Sequence, residues 1–283
     1  LSGTSQSSGT SNEGGLSQSG GAWNTLDVRV DGRVGWLRFN RPEQRNGVTT
    51  EMAVEMYGAL TGLAARDDLV VLVLTGAGST FCPGADLRSA RADPDAVRTL
   101  PAAETYHSAR LLRELPAVTI AAVNGACAGA GFAWAAACDL RVASSAARFA
   151  TAFVNIGLPG ELGLAWTLPR IVGAERAREL MFLSPKLDAE QAREYGLVSR
   201  VWPAERFHAE LGALVDGLAA RRPEALRLMK QSLLDGERLG FGDYLTAETT
   251  RYLALFTGAG ASEIAAGLAG AWARTVGGHA HGR

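Results

Sequence analysis

Two largely apolar runs, Leu69–Gly76 (LVVLVLTG) and Val118–Val123 (VTIAAV), constrain this chain more than any other feature. A strand with one wet face alternates apolar and polar residues. These runs do not alternate, which fits strands covered on both faces, as in a parallel sheet flanked by helices. Each is preceded by a helical pattern. The first covers about Thr50–Ala65, with Met52, Met56, Ala59, Leu60 and Leu63 on one face, and the second about Glu104–Leu115. Upstream, Leu26, Val28 and Val30 alternate up to Asp31-Gly32, and Val34, Trp36 and Phe39 return, the pattern of a hairpin closed by an Asp-Gly turn. The fold class is therefore α/β, built from repeated ββα units.

Further along, the apolar segment Phe132–Cys138 reads as a buried helix, with short strands around Leu140–Val142 and Arg148–Ala150. From Gly173 onward the pattern is mostly helical: Ala174–Phe182, Ala189–Glu194, Ala204–Ala220, Pro223–Leu239, Asp243–Phe256 and Ser262–Arg274. Three regions are expected. Residues 1–22 have a Ser/Gly linker composition and are read as disordered, 23–200 form the ββα core, and 201–283 form a helical region.

A formal net charge of −1 gives no electrostatic footprint for nucleic acid or an anionic membrane. No apolar run is long enough to span a bilayer, and the first residues lack the pattern of a signal peptide. Cys82, Cys127 and Cys138 make an odd count without metal-ligand spacing, as expected for buried thiols in a reducing cytoplasm. No dinucleotide fingerprint is present. The expectation is a cytoplasmic protein without metal, flavin or nicotinamide.

The chemistry is expected in the loops after the two apolar runs, Ser79–Leu87 (STFCPGADL) and Asn124–Phe132 (NGACAGAGF). Glycine beside small residues lets a ligand oxygen approach the main chain. The second loop opens the Phe132–Cys138 helix, whose first amides carry unpaired donors and the positive dipole end. A lone Gly-x-Gly serves packing as readily as binding. Two such loops at equivalent places supply the two converging amides that an enolate or tetrahedral oxyanion requires.

Five stretches in order carry a family resemblance: Phe39–Asn46 (FNRPEQRN), Leu72–Leu87, Ile120–Leu140, Gly157–Gly173 and Leu187–Val201. On these the chain resembles the crotonase superfamily, the enoyl-CoA hydratases and isomerases. The resemblance implies a crotonase-type spiral of ββα turns, with a C-terminal helical oligomerisation region that builds a homo-trimer or a hexamer of paired trimers. It implies an acyl-CoA thioester as substrate, coenzyme A being part of it. The amides of Ala85 and Ala130 match the oxyanion-hole donors. Cys82, Pro83, Gly84, Ala85, Asp86 and Leu87 match the loop that takes the adenine end of CoA, with Arg45 near the start of that groove and Gly129 also among the residues matched to CoA binding. Arg274 falls near a basic position that reaches CoA from a neighbouring subunit, though a solvated arginine explains it as well. Phe132, Ala133, Trp134 and Phe153 match positions around the acyl pocket.

Typical hydratases of this family use two glutamates as a general acid/base pair. Here Ala133 and Phe153 stand at those positions. Glu161, in GLPGELG, matches the loop that carries the single carboxylate of several isomerases in the family. A Glu after Pro-Gly and before a helix is also a common first-turn residue that complements the dipole. With Glu161 as acid/base the resemblance implies a double-bond isomerase. The alternatives are a hydratase in which Glu161 activates water and a non-catalytic acyl-CoA-binding relative. Asp139 and Asp86 read as structural, and His107 as a helix-face histidine. The dehalogenases of the family carry a helical histidine where this chain has Tyr106.

Overall fold

The computed structural model describes residues 23–88, 100–258, 261–262 and 264–269. The expected disorder of 1–22, Arg274 and most of the Arg88–Tyr106 segment fall outside the described residues. The described chain divides into two compact units, one reaching Pro223 and the other starting at Glu224.

The first unit is built on a six-stranded sheet. The hairpin forms as expected: β1 (Leu26–Asp31) pairs antiparallel with β2 (Val34–Phe39), Asp31 opposite Val34 across the turn. β3 (Val71–Gly76) and β4 (Val118–Val123) then add in parallel. All six residues of β3 are buried, which is why its sequence lacks alternation. β6 (Leu140–Ser144) and β9 (Arg200–Trp202) complete the sheet, in the order β1-β2-β3-β4-β6-β9.

A second, three-stranded sheet is made of short strands, β5 (Ala126–Ala128), β7 (Arg148–Ala150) and β8 (Leu187–Asp188). β4 and β5, and then β6 and β7, thus place a longer strand in the first sheet and a short one in the second. The helices pack successively on one another: α1 (Thr50–Ala64) on α2 (Ser108–Glu114), α2 on α3 (Ala130–Ala137), and α3 on α4 (Leu164–Val172). All eight residues of α3 are buried, so it has no polar face. The 3.6-residue apolar period that locates surface helices is therefore absent, and the helix starts two residues before the Phe132 that the sequence suggests.

α2 is shorter than the sequence pattern suggests. Residues Ala103–His107 form a 3₁₀ turn before it, and this turn faces the site described below. The apolar helix expected after Glu161 is present as α4, whereas β5, β8 and β9 have no counterpart in the sequence pattern, because strands this short show no period. α5 (Ala174–Leu183), α6 (Ala189–Glu194) and α7 (Phe207–Ala219) complete this unit. The second unit holds most of α8 (Pro223–Gly236) and all of α9 (Phe241–Thr257), joined by an Arg251–Asp235 ion pair at 2.7 Å. No helix among the described residues is long and apolar enough to cross a membrane.

Two asparagines fix the loop after β3. Asn46 is fully buried and donates through Nδ2 to the carbonyls of Ala77 (3.0 Å) and Thr80 (2.7 Å), while its Oδ1 accepts from the Arg41 amide (2.9 Å). Asn124 donates to the carbonyls of Gly76 (3.0 Å) and Gly78 (2.9 Å). Asn46 has φ +59°, which asparagine tolerates better than most residues. Asn46→Ala strands these buried polar groups and is expected to cost about 3 kcal/mol in urea unfolding. Asn46→Gly restores the backbone but not the bonds, so the same measurement should leave most of that loss in place. Full recovery in the glycine variant would show that backbone strain alone is at stake. Asp139 also has a structural place, accepting from the Thr119 amide at 2.8 Å and its hydroxyl at 3.0 Å.

Candidate active site

The loop Phe81–Asp86 is held from both sides. On one side Val48 donates to the Gly84 carbonyl (2.8 Å) and accepts from the Asp86 amide (2.9 Å). On the other, Cys82 donates to the Ala126 carbonyl and accepts from the Ala128 amide, both at 2.9 Å, pairing it with Cys127 of β5. Because Val48 engages the peptides flanking Ala85, the amide of Ala85 itself points to the opposite edge, where α3 begins.

Ala130 is the first residue of α3, so its amide has no acceptor within the helix. Among the described residues neither the Ala85 nor the Ala130 amide has a hydrogen-bond acceptor. The two are neighbours because the preceding glycines touch: a Cβ on Gly129 would lie 3.3 Å from the Gly84 Cα. Gly129 has φ +52° and ψ −125°, which turns the chain into the helix and is open to little besides glycine.

Ala85 and Ala130 line one cavity of about 520 Å³, within the range of small-molecule sites. Trp134, Glu161, Asp86 and Arg41 share it. Trp134 is pinned by a 3.0 Å bond from its indole N–H to the buried Ser108 hydroxyl, and it packs on Phe39. Asp86 forms a 3.1 Å ion pair with Arg41, tying the loop that carries Ala85 to the segment after β2.

Glu161 is half-buried, and no side chain or amide among the described residues hydrogen-bonds or ion-pairs with its carboxylate. Burial pushes its pKa above the ordinary glutamate value. It does not stand as a first-turn residue of α4, because Leu162 and Gly163 intervene before the helix starts. The Gly157–Gly163 loop turns repeatedly through positive φ, at Gly157, Gly160, Leu162 and Gly163, and so delivers the carboxylate to the cavity.

Several residues singled out in the sequence do not line this cavity. Phe132 packs edge-on against Phe149, Ala133 is fully buried, and Phe153 sits beneath the Glu161 loop; none of the three lines the cavity. The reason is that α3 presents only Ala130 and Trp134, one turn apart, to this side. Cys82 is fully buried, and burial pushes its thiol up to about 12, so it is a packing group. Pro83 and Gly84 shape the loop without lining the cavity, and Leu87 is exposed. Arg45 is exposed on a left-handed turn; the guanidinium in the cavity wall is that of Arg41. Tyr106 also lines the cavity, whereas His107 beside it is exposed. Arg41 lies within the Phe39–Asn46 stretch and Tyr106 at the position of the dehalogenases' histidine, but neither carried a sequence signal that it would line the cavity. No cluster of metal-ligand type occurs among the described residues.

Residues 29–262 match the family model described as enoyl-CoA hydratase/isomerase. The 1,2-epoxyphenylacetyl-CoA isomerase of Escherichia coli is 36% identical over 216 residues, covering 74% of this chain and 81% of that protein. A 4-chlorobenzoyl coenzyme A dehalogenase of Arthrobacter is 32% identical over 222 residues, covering 75% of this chain and 78% of the relative. Among solved structures, the enoyl-CoA hydratase of Bacillus anthracis superposes with a TM-score of 0.77 at 28% identity, covering 83% of this chain and 92% of that one.

Proposed function

This chain belongs to the enoyl-CoA hydratase/isomerase family of the crotonase superfamily, and from that premise we propose that it shifts the double bond of an enoyl-CoA thioester, with Glu161 as the acid/base. One observation carries the reading: a half-buried carboxylate lines the same cavity as two main-chain amides, and among the described residues the carboxylate has no partner and the amides no acceptor.

In this reading the thioester oxygen accepts from the amides of Ala85 and Ala130. Glu161 takes a proton from C2 of a 3-enoyl thioester, and the electron pair moves onto that oxygen as a dienolate. The protonated Glu161 then returns the proton at C4, leaving the 2-enoyl product. One group serves both steps, so a second carboxylate is not needed, in keeping with Ala133 and Phe153 at the positions where hydratases of the family carry theirs. Asp86 and Arg41 hold the Ala85 loop, and Trp134 supports the acyl group.

Incubation with 3-enoyl-CoA and 2-enoyl-CoA separately tests the proposal. Conjugated-thioester absorbance should rise with the first substrate. Loss of that absorbance with the second, and no gain with the first, would make the enzyme a hydratase. Tight binding with no change in either would make it a non-catalytic relative.

The helices of the second unit are read as the oligomerisation region of a trimer or a hexamer. α9 has no buried residue, and Phe241, Tyr252 and Leu253 on it are exposed, as is Leu233 on α8. Light scattering should give three or six times the chain mass; a monomer at micromolar concentration would refute this.

A further inference from the structure

We propose that the acyl group runs past Glu161 into a second cavity, and that Tyr106 and Leu162 form the partition that selects acyl groups by length. The inference rests on the acyl-CoA reading above and names the substrate class within it.

The second cavity measures about 260 Å³. Tyr106 and Leu162 are the two residues that line both it and the first cavity. The chain itself gives the direction: Glu161 lines only the first cavity, Leu162 lines both, and Gly163 only the second. A tail that passes the carboxylate therefore meets Leu162 next.

The far walls suit an apolar tail. His107, Arg110, Arg113 and Thr167 stand in them, but the surface turned to the cavity is mostly apolar, from Ala109, Ala137 and the ring of Trp166, and no carboxylate among the described residues lines it. Trp166 is fixed in place by the guanidinium groups of Arg170 and Arg113, 3.7 and 4.7 Å from its ring centroid. Leu162 holds φ +54°, uncommon for a leucine, while its side chain packs against the core. Such conformations persist where the surroundings over-determine them, and they concentrate at ligand clamps. The substrate class that follows is a medium-chain acyl thioester with an apolar end, rather than a four-carbon one.

Calorimetric titration with saturated butyryl-, hexanoyl-, octanoyl- and decanoyl-CoA tests this without requiring turnover. Affinity should rise by about 4-fold for each methylene that enters the second cavity. In Ala109→Leu, whose longer side chain occupies that space, the decanoyl-to-butyryl affinity ratio should fall at least about 10-fold. A decanoyl-CoA with a terminal diazirine, used on the unaltered protein, should label peptides that carry Ala109 or Trp166. Length-independent affinity, a ratio unmoved in Ala109→Leu, or labelling confined to the first cavity near Glu51 would each overturn the proposal. If no thioester binds at any length, the acyl-CoA reading itself fails and takes this inference with it.

Discussion

Glu161→Gln should slow double-bond transfer by roughly 10²–10⁴-fold, the usual contribution of a positioned acid/base, while thioester affinity stays near that of the wild type. The substitution preserves shape and removes only the ability to accept a proton. Binding is expected to survive because the amides of Ala85 and Ala130 and the wall at Trp134 are untouched. Stability should move the other way. Burial raises the Glu161 pKa in the folded chain, so the folded state keeps that proton to higher pH than the unfolded state does. The associated stability is complete below the unfolded carboxylate pKa and is lost as pH rises through the folded value. Glutamine escapes that loss, so at neutral pH the variant should unfold at an equal or higher urea concentration than wild type. In the wild type, kcat/KM should climb with pH through an inflection above the ordinary glutamate value, about 4.3. Undiminished turnover in Glu161→Gln would remove the residue from the mechanism.

Gly131→Ala is expected to damage the site by a different route. A methyl group at this position would stand 2.2 Å from the Cys82 carbonyl oxygen and 2.9 Å from its carbon, and these are backbone atoms that cannot rotate away. α3 must then separate from the Phe81–Asp86 loop, carrying Ala130 from Ala85. Loss of one oxyanion donor costs about 10²–10³-fold in kcat, and the overpacking about 1–3 kcal/mol in stability. The Kd for a saturated thioester should weaken less than kcat falls, since the amides matter most when charge develops on the oxygen. An alanine variant with wild-type kcat and unchanged unfolding would mean that the contact between these two loops does not hold the donors.

The main architecture was legible because burial and hydrogen bonding leave a mark on residue type. β3 and β4 show as largely apolar runs, the hairpin shows through Asp31-Gly32, and most later helices show through their period. The two loops were legible because close approach excludes larger side chains, as Gly84, Gly129 and Gly131 illustrate. Residues brought in from elsewhere left no such mark. Arg41 reaches the cavity through an ion pair spanning 45 positions, and Tyr106 through a 3₁₀ turn that helical periodicity cannot distinguish from α2. Direction on α3 was also illegible: when every face of a helix is apolar, sequence does not say that Trp134 turns inward while Phe132 meets Phe149.

A main-chain amide has no acid–base equilibrium in the aqueous pH range, so in the proposed mechanism the donors of Ala85 and Ala130 keep constant strength from acid to alkali. Any inflection in the rate therefore belongs to groups around them and not to the electrophilic part of the machinery. In the proposed mechanism the backbone path sets where negative charge is tolerated, while the proton-transfer group hangs from a different loop, so a substitution at Glu161 leaves that path in place.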